Sequence, residues 1–301
     1  MTARHVISVD DLSDDDIRRI VARGVRFREG TAGADRPLAG KIAGIYFRKT
    51  STRTRTAFTS GALRLGAQTI AFGPGDLQTN TGETTEDTAR VLSRMLDVLV
   101  ARTAGDPAEL RAFAAENRMS VVNAMSAAEH PTQALTDLTT LLWRFGTIDG
   151  LRILYVGEGN NTASALALAL SRYDSVSLEL RTPPRYGLAD DVLARVNPKV
   201  VSERHDMADL PESVDVVYTT RWQTTGTSKP DADWRETFAP FQVTADLWRG
   251  SPDAVFMHDL PAHRGEEVTA DVLDGDRSIA FDQAENKLHS AMAVLEWCCA
   301  G

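Results

Sequence analysis

Ser51, Thr52, Arg53, Thr54 and Arg55 stand consecutively, with Arg48 and Lys49 just before them and Thr56 just after. Hydroxyl and guanidinium donors at this density can wrap a small multivalent anion, most naturally a phosphate. The flanking sequence says how they are held. Ile42–Phe47 is an unbroken apolar run of the kind found in a buried strand, and Phe58, Ala62 and Leu65 then recur at helical spacing. The donors therefore fall on a strand-to-helix turn. A helix N-terminus adds unpaired N–H groups and a partial positive charge at the same place. The plain structural alternative is a Ser/Thr-capped helix with solvated arginines.

Further polar residues follow apolar runs in the same half. Arg102 comes directly after the strand-like segment Asp97–Ala101, with Thr103 and Gly105 behind it. His130-Pro131-Thr132-Gln133 follows a second such segment, Ser120–Ala124, and opens a helix marked by Ala134, Leu138, Leu141 and Leu142, with Pro131 suited to its first turn. Ligands of open α/β sheets bind beyond the carboxyl ends of the strands. Arg48, Lys49, Arg53 and Arg102 are thus expected to share one crevice, with His130 and Gln133 at the same edge. The polar stretches Gly73–Thr85 and Thr224–Asp233 are the expected closing loops.

The second half repeats the alternation of strand and helix. Leu151–Val156 leads through Gly157-Glu158-Gly159-Asn160-Asn161 into the apolar helix Ala163–Leu170. This is the opening of a dinucleotide-binding motif, with Glu179 at the distance of a ribose-binding acid, but Thr162 stands where a third glycine belongs. Asp215–Tyr218 feeds Thr219-Thr220-Arg221-Trp222-Gln223-Thr224-Thr225-Gly226, and Ala254–Met257 delivers His258-Asp259-Leu260-Pro261. An N-capped amphipathic helix begins after Ser13, and a last helix, Ala284–Cys299, carries Leu288, Ala291, Met292 and Leu295. The expected fold is α/β, with two doubly wound parallel-sheet domains joined by interdomain helices. Their expected extents are residues 1–146 plus 284–301, and residues 147–283.

Composition narrows the function. A net charge of −9 opposes nucleic acid or an anionic membrane as a general partner, so an anion site must be a local pocket in an acidic surface. The two cysteines, Cys298 and Cys299, are adjacent. They fit neither zinc spacing nor a disulfide framework and suit a reducing, cytoplasmic setting. No apolar window is long enough for a membrane span, and no metal-ligand spacing is present.

The donors and their spacing resemble the aspartate/ornithine carbamoyltransferase family over almost the whole chain. Ser51-Thr52-Arg53-Thr54-Arg55 is similar to the turn that binds the phosphate of carbamoyl phosphate, and Asp87-Thr88-Ala89-Arg90-Val91-Leu92 to the helix after the mobile loop. The second half looks more like the ornithine branch, through Gly157–Asn161, His258–Val268 and Ala284-Glu285-Asn286. The resemblance implies a homotrimer of two-domain subunits that needs no cofactor. Ser51, Thr52, Arg53 and Thr54 would bind phosphate, and Arg102 would bridge phosphate and carbonyl oxygen. His130 would donate to that oxygen, Gln133 would hold the carbamoyl NH2, and Gln78 would reach a neighbouring subunit's site. Catalysis would rest on Thr52, Arg102, His130 and Gln133, with Asp259 near the attacking atom.

The acceptor side departs from the family. By resemblance it comprises Asn161, Thr220, Thr224, Thr225, Asp259, Leu260 and Lys287. Thr220 stands where the ornithine enzymes carry an Asp, Thr224-Thr225-Gly226 replaces Ser-Met-Gly, Asp259 replaces a Cys and Lys287 an Arg. The lysine of the aspartate branch's mobile loop is also absent, Gly82 taking its place. A carboxylate lost opposite an ammonium removes a hydrogen bond of about 1.5–3 kcal/mol. The expectation is therefore a carbamoyltransferase acting on an amine-type acceptor other than ornithine or aspartate. The alternatives are an ornithine carbamoyltransferase, a non-catalytic ligand-binding relative and, on Gly157 and Gly159 alone, a nucleotide-dependent oxidoreductase. A structural tie to His263 or Arg264 is the competing role for Asp259.

Overall fold

A computed structural model describes residues 3–33, 35–224, 227–248 and 250–299. They form two compact units, residues 1–142 with 285–301, and residues 143–284. Each is built on its own parallel sheet.

In the first unit α1 (Asp14–Arg28) is capped by Ser13, whose side chain accepts from the Asp16 N–H, and three aspartates occupy its first turn. The strands β1 (Ile42–Phe47), β2 (Gln68–Phe72), β3 (Val98–Arg102) and β4 (Ser120–Asn123) alternate with α2 (Arg53–Arg64), α3 (Thr85–Leu92) and α4 (Pro107–Ala114). The sheet order is β2-β1-β3-β4, all parallel. β3 and β4 are buried along their whole length, which is why they read as continuous apolar runs. Leu92, Leu99, Leu110, Phe113 and Val121 belong to one buried cluster that joins α3 and α4 to the strands. A 3₁₀ turn, Gln78–Thr81, breaks the long polar loop.

The chain leaves the first unit within α5 (Pro131–Phe145). In the second unit β5 (Arg152–Val156), β6 (Ser177–Arg181), β7 (Val201–Arg204), β8 (Val216–Thr219) and β9 (Val255–His258) form a parallel sheet of order β7-β6-β5-β8-β9. Strand order reverses between β5 and β8, the position at which doubly wound sheets bind ligands. Between the strands lie α6 (Asn161–Leu170), α7 (Asp190–Leu193) and α8 (Trp234–Phe238), and α9 (Ala270–Leu273) follows β9. The chain then returns to the first unit within α10 (Ala280–Cys299), which starts four residues before the segment expected for it. No helix among the described residues is long and apolar enough to cross a membrane.

Candidate active site

At the carboxyl edge of the first sheet, α2 begins with Thr52 as its N-cap. Thr52 is in helical conformation (φ −78°, ψ −56°) and makes no side-chain cap hydrogen bond. Ser13, Thr84 and Asp106 each cap their own helices through a side-chain oxygen. The first turn of α2 thus has no side-chain cap from Thr52, and the dipole there favours an anion. Thr52 is exposed, Ser51 and Arg53 half-buried, and Thr54 buried. The four cations expected at this edge do not all meet there. The Arg48 guanidinium pairs with Glu109 and stands 5.9 Å from the Tyr46 ring, and Lys49 is exposed. Arg102, at the end of β3, is buried, and its carbonyl accepts from the Arg48 N–H at 3.0 Å.

His130 is set by a buried polar network in the loop after β4. Asn123 Nδ2 donates to the Ile7 carbonyl at 2.8 Å, while Asn123 Oδ1 accepts from the Met125 N–H at 3.0 Å. The Glu129 carboxylate takes hydrogen bonds of 2.6 Å from Ser8 Oγ and from the Val9 N–H. These bonds fix the loop and place His130 directly before Pro131, at the start of α5. Burial, then Lys287, then Arg102 hold the imidazole well below the usual histidine pKa, so it is neutral near pH 7. A neutral imidazole can give one N–H to a carbonyl oxygen without carrying a charge that must later be lost.

Gln133 is held at both ends of its amide: Nε2 donates to Asp137 Oδ1 at 2.7 Å, and Oε1 accepts from Lys287 Nζ. Lys287, an acceptor contact by resemblance, belongs to the first unit and touches Gln133. Thr54, Phe58, His130, Gln133, Thr136 and Lys287 line one small cavity, with room for about a single water. α2 and α5 thus converge on one small pocket of mixed polar and apolar lining. Asp137 escaped notice in the sequence, although a carboxylate four residues after Gln133 on an otherwise apolar helix is the spacing that brings two side chains together. Gln78 is exposed on its 3₁₀ turn, with Oε1 accepting from Thr81 Oγ1 at 2.8 Å.

The second unit gathers the other candidates at the switch point. Asp259, one residue past β9, accepts from Thr220 Oγ1 at 2.9 Å and from Thr162 Oγ1 at 3.1 Å. Three consecutive sheet positions therefore contribute: Thr162 in the first turn of α6 after β5, Thr220 after β8, and Asp259 after β9. The competing tie to His263 or Arg264 is not made, since Arg264 pairs with Asp274 and His263 faces Glu266. His258 lies 3.5 Å from Asp259, but its Nδ1 accepts from the Leu260 N–H at 2.8 Å and so bears no proton. Its Nε2 faces the buried Glu267 carboxylate at 3.1 Å. Leu260 has φ +51° and precedes a cis Pro261.

Asn161 is buried at the start of α6, which Asn160 caps through bonds to the Thr162 and Ala163 N–H groups. Thr224 Oγ1 accepts from Asn160 Nδ2 at 3.1 Å and donates to Glu158 Oε2 at 3.3 Å. Thr225 lies outside the described residues. Glu158, Lys229 and Thr162 also stand here, none of them picked out as site residues beforehand; their contacts join segments far apart in sequence. Two features of the dinucleotide reading have structural roles here. Glu179 is bound to the buried Arg181, and Gly159 answers a packing demand, since a Cβ there would lie 2.3 Å from the Gly187 carbonyl carbon and 2.4 Å from the Leu188 nitrogen.

A helix N-terminus without a side-chain cap, a neutral imidazole, a fixed amide and a second parallel-sheet unit with polar groups at its switch point suit group transfer from a phosphorylated donor. The model of the aspartate/ornithine carbamoyltransferase carbamoyl-P binding domain matches residues 4–142, and that of the Asp/Orn binding domain matches residues 149–298. The chain belongs to this family and is a carbamoyltransferase. Ornithine carbamoyltransferase 1, anabolic, of Pseudomonas savastanoi pv. phaseolicola is 38% identical over 303 residues, covering 100% of this chain and 98% of the relative. The structure of ornithine carbamoyltransferase from Pyrococcus furiosus superimposes with a TM-score of 0.92 at 35% identity, covering 100% of this chain and 98% of that one. The enzyme of Gloeobacter violaceus gives 0.86 at 32%, with 99% and 100% covered.

Proposed function

We propose that this enzyme transfers the carbamoyl group of carbamoyl phosphate to an amino group of ornithine and releases phosphate. The observation that carries the reading is a first-unit pocket lined by Thr54, His130 and Gln133 beside the N-terminus of α2. Full-length relatives named for ornithine favour that acceptor over the other amines expected from the altered positions. The neutral amine attacks the carbonyl carbon, a C–N bond forms, the C–O bond to phosphate breaks, and the nitrogen gives up a proton. Arg102, His130 and the Thr52 hydroxyl stabilise the charge that builds on the carbonyl oxygen. Ser51, Arg53, Thr54 and the N-terminus of α2 hold the departing phosphate.

Asp259 favours a second reading, in which the acceptor is a different cationic amine. Its carboxylate is oriented by two threonine hydroxyls, and Thr220 supplies no negative charge of its own. The retained Ser51–Thr54, Arg102, His130 and Gln133 count against a non-catalytic relative.

Phosphate release from carbamoyl phosphate, measured with ornithine and with a panel of other amines, amino acids and guanidines, tests both readings. Ornithine-dependent release with formation of citrulline is the expected result. Release with a different amine only would establish the second reading. No acceptor-dependent release at all would overturn both.

A further inference from the structure

Lys229 lies five residues beyond Thr224, in the segment between β8 and α8, and its side chain is only 3% exposed. Its ammonium pairs with Glu158 and stands 4.6 Å from the centre of the Tyr186 ring and 4.8 Å from that of Phe238. Phe238 in turn packs against Trp222 and Trp234, each at 5.6 Å. One carboxylate and two ring faces thus enclose the cation, the arrangement that binds ammonium groups in aromatic cages.

Glu158 is held as firmly. It follows β5, and its carboxylate serves both Lys229 and Thr224, one through each oxygen. Asn160, two residues on, donates to the same Thr224 hydroxyl. Thr224 and Lys229 are therefore both tied to the turn after β5. Burial pushes the Glu158 carboxyl up and the Lys229 amine down, and each charge opposes the shift of the other. Removing one partner would strand a buried charge, whereas removing both would not.

We propose that Lys229 is a positioning residue for the acceptor: its ion pair with Glu158, seated in the Tyr186–Phe238 cage, pins Thr224 in place and so sets acceptor affinity without contact with the acceptor. The proposal rests on the reading of the second unit as the acceptor half. It adds a determinant outside the set of residues assigned to touch substrate.

The test compares K229M, K229R, E158Q and the double variant E158Q/K229M in the full-length enzyme. The readouts are KM for each substrate, melting temperature, and the intrinsic fluorescence of the cage residues Trp222 and Trp234. In K229M, E158Q and the double variant the acceptor KM is expected to rise about tenfold, the worth of one charge-assisted hydrogen bond. The KM for carbamoyl phosphate should stay within about twofold, and K229R, which keeps the cation over the rings, should stay within about threefold of wild type.

A wild-type acceptor KM in the double variant, with a lowered melting temperature in the single variants alone, would reduce the pair to a structural tie and overturn the proposal. So would an unchanged acceptor KM in K229M once the tryptophan emission has shifted. The wild-type enzyme is assayed first. An absence of acceptor-dependent phosphate release there refutes the proposed reaction, and an unaltered acceptor KM in an active variant refutes the role of Lys229.

Discussion

His130 is 5% exposed, and its pKa is depressed first by burial and then by the neighbouring Lys287 and Arg102. A depressed histidine pKa means that the unfolded chain binds the proton before the native protein does. The linked stability is complete above the unfolded value, about 6.5, and is lost as pH falls from there towards the folded value. His5 and His289 are depressed by burial as well and contribute in the same direction. They cancel in a comparison of wild type with H130N. Urea denaturation at pH 7 and at pH 5 should show that H130N loses less stability on acidification, by up to about 1.4 kcal/mol per pH unit across the window. On the proposed mechanism the kcat of H130A, which leaves no donor there, should fall about 100- to 1000-fold, as for other lost oxyanion donors. Equal acid losses in the two proteins would mean that His130 is not the buried neutral group described.

At the scale of elements, the turn from β5 into α6 carries the sharpest steric constraint. Gly157 has φ +133°, and the Gly159 N–H donates to the Tyr186 carbonyl at 2.7 Å. An added Cβ at Gly159 would meet three backbone atoms at 2.6 Å or less, none of which can swing away as a side-chain tip can. G159A should therefore cost about 3 kcal/mol, the upper end for overpacking, and a loss under 1 kcal/mol in chemical denaturation would refute the close approach. The same turn shows what a sequence discloses and what it withholds. β1 has the bounds that its residue pattern suggests, because a buried parallel strand leaves an apolar run closed by polar residues. The apolar spacing of Leu188, Val192 and Val196 suits a longer helix, yet only Asp190–Leu193 is helical, and the five residues of α8 are too few for a periodic pattern. Ser51–Thr54, Arg102, His130 and Gln133 were legible because each follows a strand. The Lys229 cage was not, since Glu158, Tyr186, Trp222 and Phe238 come from separate segments that only the tertiary fold brings together.

For the whole molecule, the stretch from 68 to 95 bears on assembly. β2 is an edge strand of the first sheet, with Ile70 44% exposed. Val91 on α3 and Met95 just after it are 45% and 64% exposed. Between these apolar side chains lies the turn carrying Gln78, itself exposed. An edge strand and three exposed apolar residues within one stretch of chain suit a contact with another subunit. We propose that this contact closes the homotrimer implied by the family and that Gln78 completes the carbamoyl phosphate site of the next subunit around the ring. A head-to-tail ring of this kind gives each site its Arg102 from one chain and its Gln78 from another. R102A and Q78A should each be nearly inactive alone. When the two are mixed in equal amounts and their subunits allowed to exchange, a site receives both native residues with a chance of one half for each, so activity should return to about a quarter of wild type. A mixture no more active than its components, with exchange verified by native mass spectrometry, would show that Gln78 serves its own chain or none.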